Sequence, residues 1–287
     1  LLFILIILLY PFIKIRVGPF RSDVIGNSFF NLEFYLSKKK ITKSKFLDLF
    51  FPTTNIFPNK YFKIIAKRNI HFNQFFKFIY FYFKLFSLNN FIVEMVEDKK
   101  GSRDTEGILN STTSSLFFNE NENSRAIKIL NKLGIKNNKF VCLINRDNAY
   151  KDKYQKWITN DWSYHEYRNA PISTYLKSVK FLVSNNIYVI RMGKETEGEL
   201  DFNHPYYFDY SKSKFRSDFL DLWLMSKCFF CISSGTGLDD VAIAFRKPIA
   251  HVNCIPIGAN RCNQSTILIA FKKIINNNTG KPLFLSE

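Results

Sequence analysis

From Ala126 to Val252 the sequence alternates two kinds of apolar segment, and this alternation constrains the fold more than any other feature. Short unbroken runs at Phe140–Ile144, Ile187–Arg191, Cys228–Ser233 and Ile249–Val252 predict strands buried on both faces. Between them, apolar residues recur at helical spacing. Ala126, Ile129, Leu130 and Leu133 form one stripe, closed by Gly134 as a C-cap. Ile172, Tyr175, Leu176, Val179, Leu182 and Val183 form another, opened by Pro171. Phe215–Ser226 and Leu238–Phe245 complete the series. Such alternation with short connections folds as a parallel, doubly wound α/β sheet. Its ligands sit beyond the carboxyl ends of the strands, so the loops there are the candidate site.

Four loops meet that rule. Ser233-Ser234-Gly235-Thr236-Gly237 joins a strand to a helix, and its small residues let the backbone approach a diphosphate. It is neither a P-loop nor the full dinucleotide fingerprint, because the Lys-Ser/Thr pair and the third Gly are missing. Asp239 or Asp240, in the first turn of the following helix, can reach a ribose hydroxyl or simply favour the helix start. Asn145-Arg146-Asp147 opens a long loop dense in aromatic and ionisable residues, running through Lys151 and His165 to Arg168. Arg146 offers a planar fork for phosphate oxygens, against the alternative of a structural pair with Asp147. Lys194, after Gly193, is a further phosphate candidate, and Asn253–Gly258 reads as a pocket wall.

The first half is less regular. A strand is expected at Phe12–Val17, a helix at Ser28–Leu36 and a Phe-rich helix at His71–Ser87. Phe76 and Phe83 belong to the apolar surround of that last helix, which suits either a core or a bilayer interface, while Lys77 and Lys84 lie in its narrow polar stripe. Leu1–Ile13 is too short to span a bilayer by itself and is expected as the tail of a longer membrane segment. The polar stretch Gly101–Glu122 reads as the connection between domains 1–118 and 119–287.

A formal charge of +17 turns the chain toward anionic partners: phosphates, lipid headgroups or nucleic acid. The basic residues are spread out and match no known nucleic-acid reader, so nucleic acid is not expected as a partner. Five Cys, with Cys228 and Cys231 inside a strand, read as core thiols rather than a disulfide or zinc framework. No metal-ligand spacing or hydrolase elbow occurs, and no metal or cofactor is expected.

The motifs Val141-Cys142-Leu143-Ile144-Asn145-Arg146-Asp147, Asp161-Trp162-Ser163-Tyr164-His165-Glu166-Tyr167-Arg168-Asn169, Tyr188-Val189-Ile190-Arg191-Met192-Gly193 and Phe230-Cys231-Ile232-Ser233-Ser234-Gly235-Thr236-Gly237-Leu238 resemble a largely uncharacterised bacterial group of glycosyltransferases of the two-Rossmann (GT-B) type. Arg16-Val17-Gly18, Arg21 and Ile25-Gly26-Asn27 look like that group's N-terminal motif, which has a His where this chain has Asn27. More distantly, Arg146 with Ser233-Ser234 looks like the donor-binding arrangement of fucosyltransferases. The resemblance implies two Rossmann-like domains and metal-independent transfer from a nucleoside-diphosphate sugar to a surface-polysaccharide or lipid-linked acceptor. It places the enzyme at the inner face of the cytoplasmic membrane, against an anionic lipid surface. Arg146, Lys194, Ser233, Ser234, Gly235, Thr236, Gly237 and Asp239 would hold the donor. Asp147 or His165 would act as base, and Arg16, Gly18, Arg21 and Asn27 would lie on the acceptor side. A nucleotide-sugar epimerase shares the plan and is the alternative enzyme; a basic nucleic-acid-binding protein is the alternative of another class.

Overall fold

The computed structural model describes residues 2–96, 103–136, 139–154, 163–255 and 265–283. The chain opens with helix α1, Leu2–Leu9, which ends just before Pro11, and then enters strand β1, Ile15–Phe20. The strand starts later than the apolar run suggests. Phe12 and Ile13 lie exposed, and β1 pairs with β2, Leu47–Pro52, only from Ile15 onward. Helix α2 spans Ile25–Ile41, longer than expected at both ends, and carries Lys38–Lys40 in its last turn, where cations suit the helix dipole. Helix α3, Lys60–Asn69, is capped by the Asn59 side chain, which accepts from the Phe62 amide at 3.0 Å. The stretch expected as one helix from His71 instead begins as a short strand β3, His71–Phe72, and becomes helix α4 only at Phe76–Leu85. β1, β2 and β3 form a parallel sheet in that order.

Helix α5, Glu120–Lys132, starts with a capping box between Asn119 and Glu122. Then follow β4 (Phe140–Ile144), α6 (Ala149–Tyr154), α7 (Leu176–Ser184), β5 (Tyr188–Arg191) and β6 (Tyr207–Asp209). The series ends with α8 (Asp218–Lys227), β7 (Phe230–Ser233), α9 (Asp239–Ala244), β8 (Ile249–Cys254) and β9 (Ile267–Phe271). The six strands form one parallel sheet, ordered β6-β5-β4-β7-β8-β9. Every residue of β4 is buried, as a central strand covered on both faces must be. β6 and β9 have no counterpart in the sequence-based expectation.

Two parallel sheets with helical cover make this a GT-B-like α/β fold of two Rossmann-like halves. The faces of the smaller sheet differ. Phe20 and Phe50 point into a core that continues unbroken through α2, α3 and α8 to Ile249 of the larger sheet. Val17 and Phe51 point the other way, under α1 and α4. Cys142, Cys228 and Cys231 are buried free thiols, the first and last with pKa values raised by burial. Among the described residues no helix is long and apolar enough to cross a membrane.

Candidate active site

In the larger sheet the strand order reverses between β4 and β7, which pair with Ile144 beside Ser233. Their carboxyl ends open side by side at this topological switch point, where α/β sheets hold ligands. The Ser234 hydroxyl accepts from the Arg146 amide at 2.7 Å and fastens one loop to the other.

The Ser233–Gly237 loop is not the set of free amide donors expected from its composition. Asp239 is buried, and its Oδ2 accepts from the Ser233 hydroxyl at 2.7 Å and from the Thr236 amide at 3.0 Å. The Gly235 amide donates to the Ser233 hydroxyl and the Leu238 amide to the Thr236 hydroxyl. Asp239 thus braces the loop from within rather than facing outward toward a ribose. Gly235, at φ +81°, turns the loop so that its carbonyl faces two guanidinium groups.

Those groups belong to Arg146 and Arg168. Arg146 Nη1 lies 3.5 Å and Arg168 Nη2 3.2 Å from the Gly235 oxygen. No carboxylate lies within ion-pair distance of either among the described residues, and the buried Nε of each has no partner there. The suspected Arg146–Asp147 pair is absent. Burial and the charge of Arg168 pull the Arg146 pKa down to about 10. Lys151 on α6 is lowered by burial and then by Arg146 and Arg168. His165, in the short 3-10 turn Ser163–Arg168, is lowered by burial and then by Arg168, Arg146 and Lys151. Four cationic or potentially cationic groups therefore converge where like charges repel, and a bound anion would relieve that repulsion. Lys272 holds the turn in place by donating to the Tyr167 and Asn169 carbonyls at 2.8 Å.

Asp147 does not fit the role of base. Its Oδ2 accepts from the Glu197 amide at 2.9 Å and from Asn145, and its Oδ1 accepts from the Ala149 amide at the start of α6. It is an anchor for two loops. Lys194 stands apart from the arginine pair, 4.5 Å above the Tyr154 ring and 3.4 Å from the Pro58 carbonyl of the other half. Asp161-Trp162 and Pro256–Gly258 lie outside the described residues.

On the N-terminal side the expected residues separate. Arg16 sits near the amino end of β1, paired with Asp48 at 2.8 Å and stacked on Phe46, and it walls a cavity of about 460 Å³ that also holds Tyr35 and Lys39. Gly18 is fixed by packing, since a Cβ there would meet the Val93 carbonyl at 1.8 Å. Arg21 forms an exposed pair with Asp23 at 3.0 Å. None of these three contacts the Arg146–Arg168 group. Asn27, half-buried in the first turn of α2, is nearer, because Gly26 beside it touches Gly237. A Cβ on Gly26 would lie 2.3 Å from Asp240 Oδ2 and 2.8 Å from Gly237 Cα. Gly26→Val is therefore expected to push the two loops apart and to lower stability by about 1–3 kcal/mol, measured by urea unfolding. An unchanged midpoint would mean that the contact is not tight.

No protein-family model matches the chain, and no curated protein matches it in sequence. Solved structures do match its fold. The E. coli ADP-heptose LPS heptosyltransferase II superposes with a TM-score of 0.54 at 9% identity, over 91% of this chain and 91% of that one. The family 9 glycosyltransferase of Veillonella parvula superposes with a TM-score of 0.55 at 10% identity, over 92% of this chain and 89% of that one. Both likenesses bear on the two-sheet plan; neither lends support to the fucosyltransferase resemblance.

Proposed function

We propose that the chain is a glycosyltransferase. It moves a sugar from a nucleoside-diphosphate sugar to a glycan or lipid-linked acceptor of the cell surface, without an essential metal. Residues 119–287 hold the donor and residues 1–118 the acceptor side. The observation that carries this reading is the pair of guanidinium groups, Arg146 and Arg168, facing one carbonyl at the switch point without a carboxylate. The names of the two similar structures agree with it, and the E. coli protein's name puts an ADP-linked donor first among those to test.

In the reaction the acceptor oxygen attacks the anomeric carbon, and the bond from that carbon to the diphosphate oxygen breaks. The leaving diphosphate gains charge, which Arg146, Arg168 and Lys151 stabilise without reorganising. His165 takes the acceptor proton. Burial and then the neighbouring cations disfavour its protonated form, so its pKa lies below the ordinary 6.5. The expected kcat/KM is flat through neutral pH and falls only as pH drops through that lowered pKa. His165→Gln is expected to cost roughly a hundredfold or more and to remove the acid limb. A profile with its limb unchanged in the variant would assign the proton to another group.

Calorimetry with ADP, UDP and GDP against the parent nucleosides tests the donor reading. One diphosphate should bind at least about tenfold more tightly than its nucleoside, because charge-assisted hydrogen bonds reach only the phosphates. Product analysis then separates transfer from epimerisation. RNA binding with no nucleotide binding would overturn the proposal.

A further inference from the structure

α1 and α4 pack together over the outer side of the smaller sheet, with Phe3 stacked on Tyr82 at 5.0 Å between ring centroids. Ile79 and Phe83 of α4 turn inward and are buried. At about 100° per residue, Phe78, Phe81 and Leu85 fall on the opposite arc and Tyr82 at its edge, while Phe75 and Phe86 flank the two ends of the helix; all six are exposed. Phe78 is 67% exposed, Phe81 61% and Leu85 60%. Leu8 of α1 and Phe12 just beyond it are exposed as well, at 66% and 85%, and Phe3 of α1 joins the two helices by stacking on both Tyr82 and Phe86. Single exposed apolar residues need no explanation, but a joined set on two packed helices does.

The chemistry of the border names the occupant. Lys77 and Lys84 are exposed and lie on one edge of the apolar arc, between it and the buried face. Lys14 follows Phe12 and Ile13. Residues 1–16 and 71–90 contain no Asp or Glu, and the whole chain carries +17. A face of aromatic and aliphatic side chains, edged only by cations, complements anionic headgroups above an apolar interior. Phe and Tyr rings suit the depth of the headgroups, and a helix of ten residues such as α4 is too short to cross a bilayer and can lie in its interface.

We propose that the α1–α4 face docks the protein on an anionic lipid bilayer, inserting its exposed aromatic side chains and no more. This placement rests on the geometry of α1 and α4 alone and is independent of sugar transfer. If both readings hold, it brings the enzyme to the surface where a lipid-linked acceptor would reside.

Flotation of the whole chain with phosphatidylglycerol/phosphatidylcholine vesicles, against phosphatidylcholine alone, tests it. The wild type should float with the anionic vesicles, and less so as salt rises. Phe78→Glu/Phe81→Glu/Leu85→Glu should lower the bound fraction roughly tenfold or more, with wild-type circular dichroism and nucleoside-diphosphate affinity. Lys77→Glu/Lys84→Glu should remove the preference for anionic vesicles. If the triple variant does not fold, Phe78→Ser/Phe81→Ser decides: reduced flotation supports the proposal and unchanged flotation overturns it. A wild type that stays unbound, or a folded triple variant that floats normally, overturns it. So does a wild-type dimer that ignores vesicles and that the triple variant dissociates, since the face would then belong to a second copy. Vesicle binding without nucleotide binding would sink only the transferase reading.

Discussion

Arg168→Ala is expected to lower kcat/KM roughly a hundredfold to a thousandfold, about 2.7–4 kcal/mol, with no loss of stability. The asymmetry follows from the charges around it. In the free protein Arg168 faces Arg146, Lys151 and His165, and its guanidinium adds to the burial that depresses the pKa values of all three. Removing one cation from a cluster of like charge relieves repulsion, so unfolding by urea should change little or shift slightly upward. On the proposed reading a bound diphosphate inverts the balance, because the same cation would then face phosphate oxygens. Affinity for the nucleoside diphosphate should fall about tenfold or more, whereas affinity for the nucleoside should not change. A purely structural Arg168 would give the reverse pattern, with stability lost and both affinities lowered together.

That residue also marks where the sequence stopped being readable. β4, β5 and β7 are visible as nearly continuous apolar runs because burial on both faces leaves little room for polar positions, and β8, only partly buried, is marked by its apolar start Ile249-Ala250. The rule that ligands sit at the carboxyl ends then pointed to Arg146 and to Ser233–Gly237, and the structure does bring these together. Nothing local shows that Arg168 shares the Gly235 carbonyl with Arg146, because the contact joins residues 67 apart. The composition of the Ser233–Gly237 loop suggested open amides, but a single buried carboxylate, Asp239, folds the loop onto itself. Asp147 looked like a base for the reason that makes it a good anchor: a short acceptor beside a helix start. β6 escaped because three half-buried residues carry no periodicity, and β9 because it is an edge strand whose side chains are largely exposed. On α4 the polar stripe is real but narrow. The sequence could not tell which of two apolar arcs, the one with Phe83 or the one with Phe78 and Phe81, turns inward.

Arg246→Met is expected to cost about 3–5 kcal/mol of stability, because it strands a buried carboxylate between the two halves. Arg246, just after α9, reaches across to Glu33 of α2 at 2.8 Å and donates to Ser37 at 3.0 Å. It also holds the connecting segment, donating to the Leu109 carbonyl at 2.8 Å and the Thr112 carbonyl at 3.0 Å. Glu33 is fully buried; burial raises its pKa, and Arg246, with hydrogen bonds from Ser115 and Ser37, pulls it back down. A carboxyl whose folded pKa lies above its unfolded value binds more protons in the folded state. Its contribution to stability is therefore greatest at acid pH and declines as pH rises through that window. Without Arg246 the folded pKa climbs further and the window widens upward. The deficit of the variant should thus be larger near pH 8 than near pH 5, because lower pH favours the neutral carboxyl. Glu33→Gln/Arg246→Met should recover the pH-dependent part alone, since the Leu109 and Thr112 carbonyls stay without their donor. Urea unfolding of the three proteins at both pH values separates the terms. A deficit independent of pH would mean that the carbonyl contacts, and not the ion pair, join the halves.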